Sequence, residues 1–354
     1  IADVLDHPHD ETRIDEVMTF AGDPAAAFMN PPQAFIEVDM QPGDEIDLEF
    51  RSESGRFPGL AFVSARIGYR APRLDADGEL RHAVELARAS DVAVIVVGTT
   101  EVVESEGYDR ADLRLPGRQD ELVAAVAEAN PNTVVVVNAG SPVEMPWKDK
   151  VAAILLTWFP GEEMGNALAD VIYGTVEPGG HLPTSWAKSL ALAPVSNTDP
   201  APETLDVEYS EGLNIGYRAY AQHGTEPAWW MGHGLGYTTW SRVSIDAPST
   251  ITSGADATVS VALQNTGARE GSQVVQVYLR RRDTGVRRPT HWLAGFARVH
   301  AGAGETVTAD ITLAARRFQH WSANGWANEA GQFEIIVATD ASLRDADICT
   351  INVA

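Results

Sequence analysis

Residues 91–98 read Asp-Val-Ala-Val-Ile-Val-Val-Gly, an apolar, largely β-branched run with no polar alternation. Such a run predicts a strand buried on both faces, as in a parallel sheet covered by helices. Immediately before it, residues 79–90 carry Leu80, Ala83, Val84 and Ala87 at helical spacing. Two further pairs follow. Residues 119–129 place Leu122, Val123 and Val126 on one helix face and lead into Thr133-Val-Val-Val-Val-Asn138. Ala152-Ala-Ile-Leu-Leu-Thr-Trp-Phe159 then precedes a helical pattern over 163–173. Helices alternating with buried strands predict a mostly parallel α/β domain with right-handed crossovers.

On the N-terminal side the pattern changes. Residues 34–70 alternate with period 2, through Ile36, Val38 and Met40, then Ile46, Leu48 and Phe50, then Ala61, Val63, Ala65, Ile67 and Tyr69. Gln41-Pro-Gly-Asp-Glu45 supplies a turn. These segments predict part of an antiparallel β module too small to close a core alone. The acidic start Ile1-Ala-Asp-Val-Leu-Asp6 has neither initiator Met nor signal-peptide character, so the chain is expected to be a piece of a longer product with its compartment open. On the C-terminal side, residues 175–240 form a long irregular connection rich in Pro, Gly, Tyr and Trp. Short, evenly punctuated strands then fall at 258–263, 273–279, 306–313 and 333–338, predicting an immunoglobulin-like sandwich without a disulfide.

Across 354 residues, 26 Lys and Arg against 50 Asp and Glu give a formal net charge of −24. That field repels nucleic acid and anionic membranes, and no apolar run reaches the length of a spanning helix. Cys349 is the single cysteine, which excludes an internal disulfide and a thiolate zinc cluster. It reads as a small core residue of a late strand. Asp6-His7-Pro8-His9-Asp10 and the scattered His181, His223 and His233 read as polar or structural rather than as metal ligands. The Gly-x-Gly-x-x-Gly of a dinucleotide site is absent, since the first buried strand ends Gly98-Thr-Thr-Glu101, and no Gly-x-Ser-x-Gly elbow occurs. Neither metal nor cofactor is expected.

Ligands of an open parallel sheet bind beyond the carboxyl ends of its strands, which directs attention to the loops after Gly98, Asn138 and Phe159. The first gathers Glu101, Glu104, Glu106, Asp109 and Asp112 around Arg110, with Gly107-Tyr108 beside Glu106. A carboxyl there can serve as general acid if burial or like charges raise its pKa; the same composition also suits a solvated acidic loop. Tyr209, Tyr217, Tyr220, Trp229, Trp230, Tyr237 and Trp240 suit either sugar stacking or a packed interface, and the interface is expected. Arg280, Arg281, Arg282, Arg287 and Arg288 form a local basic loop, expected to be solvated rather than docked on an acidic partner.

Several segments together resemble the C-terminal part of glycoside hydrolase family 3 β-glucosidases. Glu104-Ser-Glu-Gly-Tyr-Asp-Arg110 with Asp112-Leu-Arg-Leu-Pro-Gly117 and Gln119-Asp-Glu-Leu122 is similar to the family's acid/base loop and following helix. Asn130-Pro-Asn-Thr133, Asn138-Ala-Gly-Ser-Pro-Val-Glu144, Pro160-Gly-Glu-Glu163 with Gly165-Asn-Ala-Leu-Ala-Asp170, and Gly179-Gly-His-Leu-Pro183 match its next landmarks. Tyr209-Ser-Glu-Gly-Leu213, Gly216-Tyr-Arg218, Gly232-His-Gly-Leu235 and Gly236-Tyr-Thr238 resemble its link into a fibronectin type III-like domain. The resemblance covers about 75–354.

The resemblance implies the end of a PA14-type β module over 1–72, an α/β sandwich domain over 73–213, a linker over 214–242 and a fibronectin type III-like domain over 243–354. It implies Glu106 as general acid/base of a retaining β-glucosidase, with Glu104 as runner-up and Tyr108, Asp109 and Arg110 binding substrate or shaping the loop. The family's nucleophile is an Asp on a TIM-like barrel that this chain lacks. A complementary chain or segment carrying that barrel is therefore the expected partner, with a β-glucoside as substrate and homo-oligomerisation left open. The competing expectations are a noncatalytic carbohydrate-binding or scaffold protein, and a related β-xylosidase or β-N-acetylglucosaminidase.

Overall fold

The computed structural model describes residues 75–100, 103–105, 110–194 and 206–354, together with Gly43 and the backbone of 2–5, 11–13 and 47–50. The chain forms two compact units, one from 1–111, 116–140 and 150–155, the other from 112–115, 141–149 and 156–354.

In the first unit, β1 (Ala2–Leu5), β2 (Glu11–Arg13) and β3 (Asp47–Phe50) form an antiparallel sheet in the order β2-β1-β3. β3 lies where the alternation of Ile46, Leu48 and Phe50 predicts a strand. β1 and β2, four and three residues long, are too short to show a period. The alternating segments at 34–40 and 61–69 lie outside the described residues.

Next come α1 (Ala76–Arg88), β4 (Ala93–Gly98), α2 (Gln119–Ala129), β5 (Thr133–Asn138) and β6 (Ala153–Leu156), with sheet order β4-β5-β6. The Asp75 carboxylate caps α1 by accepting from Gly78 N at 2.6 Å, and Asp77 and Glu79 in the first turn with Arg88 in the last complement the helix dipole. β4 and β5 pair in parallel from Ala93↔Thr133 to Gly98↔Asn138. Val135, Val136 and Val137 of the central β5 are fully buried. β4 departs from the expectation of burial on both faces. Its inward Ala93, Ile95 and Val97 alternate with Val94 and Val96, which are 47% and 56% exposed. Among the described residues it is an edge strand with one face uncovered.

The turn before β5 is locked by one buried amide. Asn130 donates to Ala87 O at 2.9 Å and Ser90 O at 2.8 Å, and its own oxygen accepts from Asn132 N at 2.9 Å. Thr133 Oγ1 donates to Asn130 O at 2.7 Å. This turn fixes where β5 begins relative to the end of α1.

The second unit begins its regular structure with α3 (Met164–Ile172) and α4 (Tyr217–His223). A sandwich follows, built from β7 (Trp240–Asp246), β8 (Thr250–Ile251), β9 (Ala257–Asn265), β10 (Gly271–Arg280), β11 (Trp292–Ala301), β12 (Thr306–Leu313), β15 (Gly331–Ala338) and β16 (Asp347–Val353). A hairpin of β13 (His320–Ser322) and β14 (Gly325–Ala327) lies between β12 and β15 in sequence. The two sheets run β11-β10-β15-β16-β8 and β12-β9-β7. Their core is Val259, Val261, Val277, Leu279, Phe333, Ile335 and their neighbours, with alternate residues of each strand facing inward. The four expected strands appear as β9, β10, β12 and β15. β11 escapes the sequence pattern because Ala294-Gly295 breaks its alternation, close to the register shift at Val277/Tyr278 of β10. A Cβ on Gly295 would sit 2.7 Å from Ile311 Cγ2, so the packing requires that break.

Of the linker aromatics, Tyr217, Tyr220 and Trp230 pack inside the second unit. Tyr217 stacks edgewise on Tyr278 at 6.1 Å and its hydroxyl accepts from Leu293 N at 2.9 Å; Tyr220 meets Trp230 at 6.1 Å. Tyr209 remains 78% exposed. The basic loop corrects its expectation. Arg281 and Arg288 are 7% exposed and share Glu329, while Arg280 and Arg282 share Glu334. Among the described residues no helix is long and apolar enough to cross a membrane.

Candidate active site

At the carboxyl end of β4, Gly98 passes so close to β5 that a Cβ there would lie 2.2 Å from Asn138 O. The Gln119 side chain holds both polar groups of Gly98, accepting from its N–H at 2.7 Å and donating to its carbonyl at 2.9 Å. Thr99, 7% exposed, continues the pairing by donating its N–H to Asn138 O at 3.0 Å. The chain then turns, with Val103 N and Glu104 N both donating to Thr100 O at 2.9 Å.

This turn carries the Glu104 carboxylate back over the strand ends. Its Oε2 accepts from the Thr99 hydroxyl and from Gly140 N, the latter at 2.9 Å. Its Oε1 faces Arg110 Nη1 at 3.6 Å, and the two side chains are 12% and 13% exposed. Two hydrogen-bond donors and a facing guanidinium converge on this carboxylate, contacts that an anion makes more strongly than a neutral acid. The cluster therefore behaves as an anchor at the end of the sheet where ligands of such folds bind.

Of the residues singled out in the sequence, Glu104 and Arg110 come together here. Glu101, Glu106, Tyr108 and Asp109 lie outside the described residues. Asp112 binds Arg114, accepting from its backbone N at 2.9 Å, Nε at 3.0 Å and Nη2 at 2.6 Å. Thr99 and Gly140 escape a reading of the acidic loop, although the rule that points to strand carboxyl ends marks both positions. His181 and His233 lie in structural surroundings. His181 Nδ1 lies 2.7 Å from Gly232 O, and burial pushes the pKa of His233 down despite the nearby Asp340 charge. Cys349 packs against the sandwich core, where burial pushes its thiol pKa up, away from the reactive thiolate. Among the described residues no three His, Cys, Asp or Glu side chains are grouped to hold a metal.

Residues 14–217 match the model of the glycosyl hydrolase family 3 C-terminal domain, and residues 273–341 that of the fibronectin type III-like domain. The first match runs through 14–72, the stretch expected to belong to a separate β module. A β-glucosidase of Rhizobium radiobacter is 41% identical over 302 residues, covering 83% of this chain and 36% of the relative. β-Glucosidase B of Emericella nidulans is 39% identical over 306 residues, covering 81% and 36%. Among solved structures, a β-glucosidase from Kluyveromyces marxianus in complex with glucose superposes with a TM-score of 0.74 at 38% identity, over 80% of this chain and 34% of that one. A β-glucosidase from Streptomyces venezuelae in complex with D-glucose gives 0.73 at 34% identity, over 79% and 36%. The chain thus spans about a third of the length of the relatives it matches.

Proposed function

Since the chain belongs to glycosyl hydrolase family 3, we propose that it is the C-terminal part of a retaining β-glucosidase and supplies the general acid/base, Glu106. The observation that carries this reading is the engagement of Glu104. Of the two glutamates flanking Ser105, Glu104 is tied to Thr99, Gly140 and Arg110 and is poorly suited to cycling a proton, which supports Glu106, the residue that the family resemblance implies. Glu106 protonates the glycosidic oxygen as the bond breaks, then takes a proton from the water that hydrolyses the glycosyl-enzyme.

The nucleophile comes from an Asp on a TIM-like barrel supplied by a complementary chain or segment, about 5–5.5 Å from the acid as retention requires. This chain alone does not turn over a glycoside. Residues 1–72 close a PA14-type module, 73–213 carry the acid/base loop, 214–242 link and 243–354 brace. Tyr108, Asp109 and Arg110 bind substrate or shape the loop, and glucose is the favoured glycone because the relatives are β-glucosidases.

The test is Glu106→Gln in the assembled enzyme, assayed on aryl β-glucosides of graded leaving-group pKa. The variant is expected to lose roughly 10²–10⁴-fold in kcat/KM on poor leaving groups and far less on the most activated one. Undiminished turnover of the poorest leaving group overturns the assignment.

A further inference from the structure

On the reading that Glu106 is the acid/base, we propose that Glu104 is the positioning residue of its loop, joining two strand ends to the loop's far side through one carboxylate. Its Oε2 takes donors from just beyond two adjacent strands, the Thr99 hydroxyl after β4 and the Gly140 amide after β5. Its Oε1 faces Arg110, six residues further along the chain, at 3.6 Å. The backbone of Val103 and Glu104 is fixed independently by the turn onto Thr100 O. Residue 105 therefore departs from, and residue 110 returns to, points set by the rigid sheet. A displacement of about 1 Å at a reacting group costs about 10²-fold in rate.

Glu104 is suited to this task and unsuited to proton transfer. Its side chain is 12% exposed, its Oε2 is occupied by the Thr99 and Gly140 donors, and a proton on Oε1 would face the Arg110 cation. Arg110 is equally enclosed at 13% exposure, so the pair is little screened and holds the neck of the loop at a defined separation. Gln119 fixes Gly98 just upstream, which makes the anchor part of the sheet rather than of the loop.

The experiment compares Glu104→Gln, Glu104→Ala and Glu106→Gln in the assembled enzyme. Glu104→Ala is expected to lower kcat roughly 10²-fold with KM changed less than about threefold. Glu104→Gln, which keeps an acceptor for Thr99 and Gly140 but gives up the charge facing Arg110, recovers about tenfold of that loss. In both, the basic limb of the kcat/KM profile persists, because it reports an acid located elsewhere. Separately, on the chain itself, the Gly140 amide is expected to exchange at least about tenfold faster in Glu104→Ala. Disappearance of the basic limb in Glu104→Gln makes Glu104 the acid and overturns the proposal, as does unchanged kcat or unchanged Gly140 exchange in Glu104→Ala. If Glu106→Gln also keeps its basic limb, the Glu106 assignment falls while the exchange and kcat results still decide the role of Glu104. Should Glu104→Ala fail to fold, Thr99→Val removes one donor and is expected to lower kcat about three- to tenfold, with no change again contradicting the anchor.

Discussion

Two enclosed ionisable side chains show how partners set charge. Glu104 meets a hydroxyl, an amide and a guanidinium. His291, 5% exposed, packs against the rings of both Tyr217 and Tyr278 and donates from Nε2 to Ala341 O at 3.1 Å. Burial outweighs that carbonyl and pushes its pKa down to about 4. The unfolded chain takes up this proton near pH 6.5. Between those values the unfolded state binds more protons, so this contribution is fully present above pH 6.5 and is lost as pH falls toward 4. It amounts to about 2 kcal/mol between pH 7.5 and 5. Urea unfolding at the two pH values is expected to show that loss in the native chain and a smaller one in His291→Gln. The lowered pKa of His233 supplies a remainder of the same sign. An equal pH dependence in the variant contradicts the account.

At the scale of elements, the segment joining β10 to β11 shows that arginines clustered in sequence can be internal structure. Arg281 lies over the Phe333 ring at 4.7 Å and Arg288 over Trp292 at 5.2 Å, with Glu329 between their charges. Burial pushes the Glu329 carboxyl up, but the Thr284 hydroxyl, the hydrogen bond from Arg288 and the two guanidinium charges hold it below the ordinary carboxylate range. Glu329→Gln leaves two enclosed cations without a counter-charge and is expected to cost about 2–4 kcal/mol, against less than about 0.5 kcal/mol for Glu270→Gln at the surface. Chemical denaturation of both variants checks this, and equal costs would sink it. The clustered arginines are plain in the sequence, but their partner stands some 40 residues away and only the β10–β15 pairing brings it near. The same limit applies at the candidate site. The acidic loop and the strand it leaves are legible from residues 91–117, whereas Gly140, 36 residues beyond Glu104, becomes its donor only because β4 and β5 lie side by side. Buried runs such as Thr133–Asn138 and the alternating Thr306–Leu313 were readable because one interaction, burial, sets their pattern. β11 was not, because tight packing at Gly295 overrides its period.

For the molecule as a whole, the family places this chain in glycoside hydrolysis, and the chain spans about a third of the relatives it matches. A formal charge of −24 disfavours polyanionic partners and is compatible with a neutral sugar substrate. The central claim is that the chain holds half of an active site, the proton-transfer half, anchored on the carboxyl ends of β4 and β5. The most direct measurement is hydrolysis of an aryl β-glucoside with a poor leaving group by the purified chain alone and by the same chain assembled with its barrel. The account predicts no turnover by the chain alone and turnover in the assembly that is lost with Glu106→Gln. Turnover by the chain alone, or an assembly indifferent to Glu106→Gln, would contradict it.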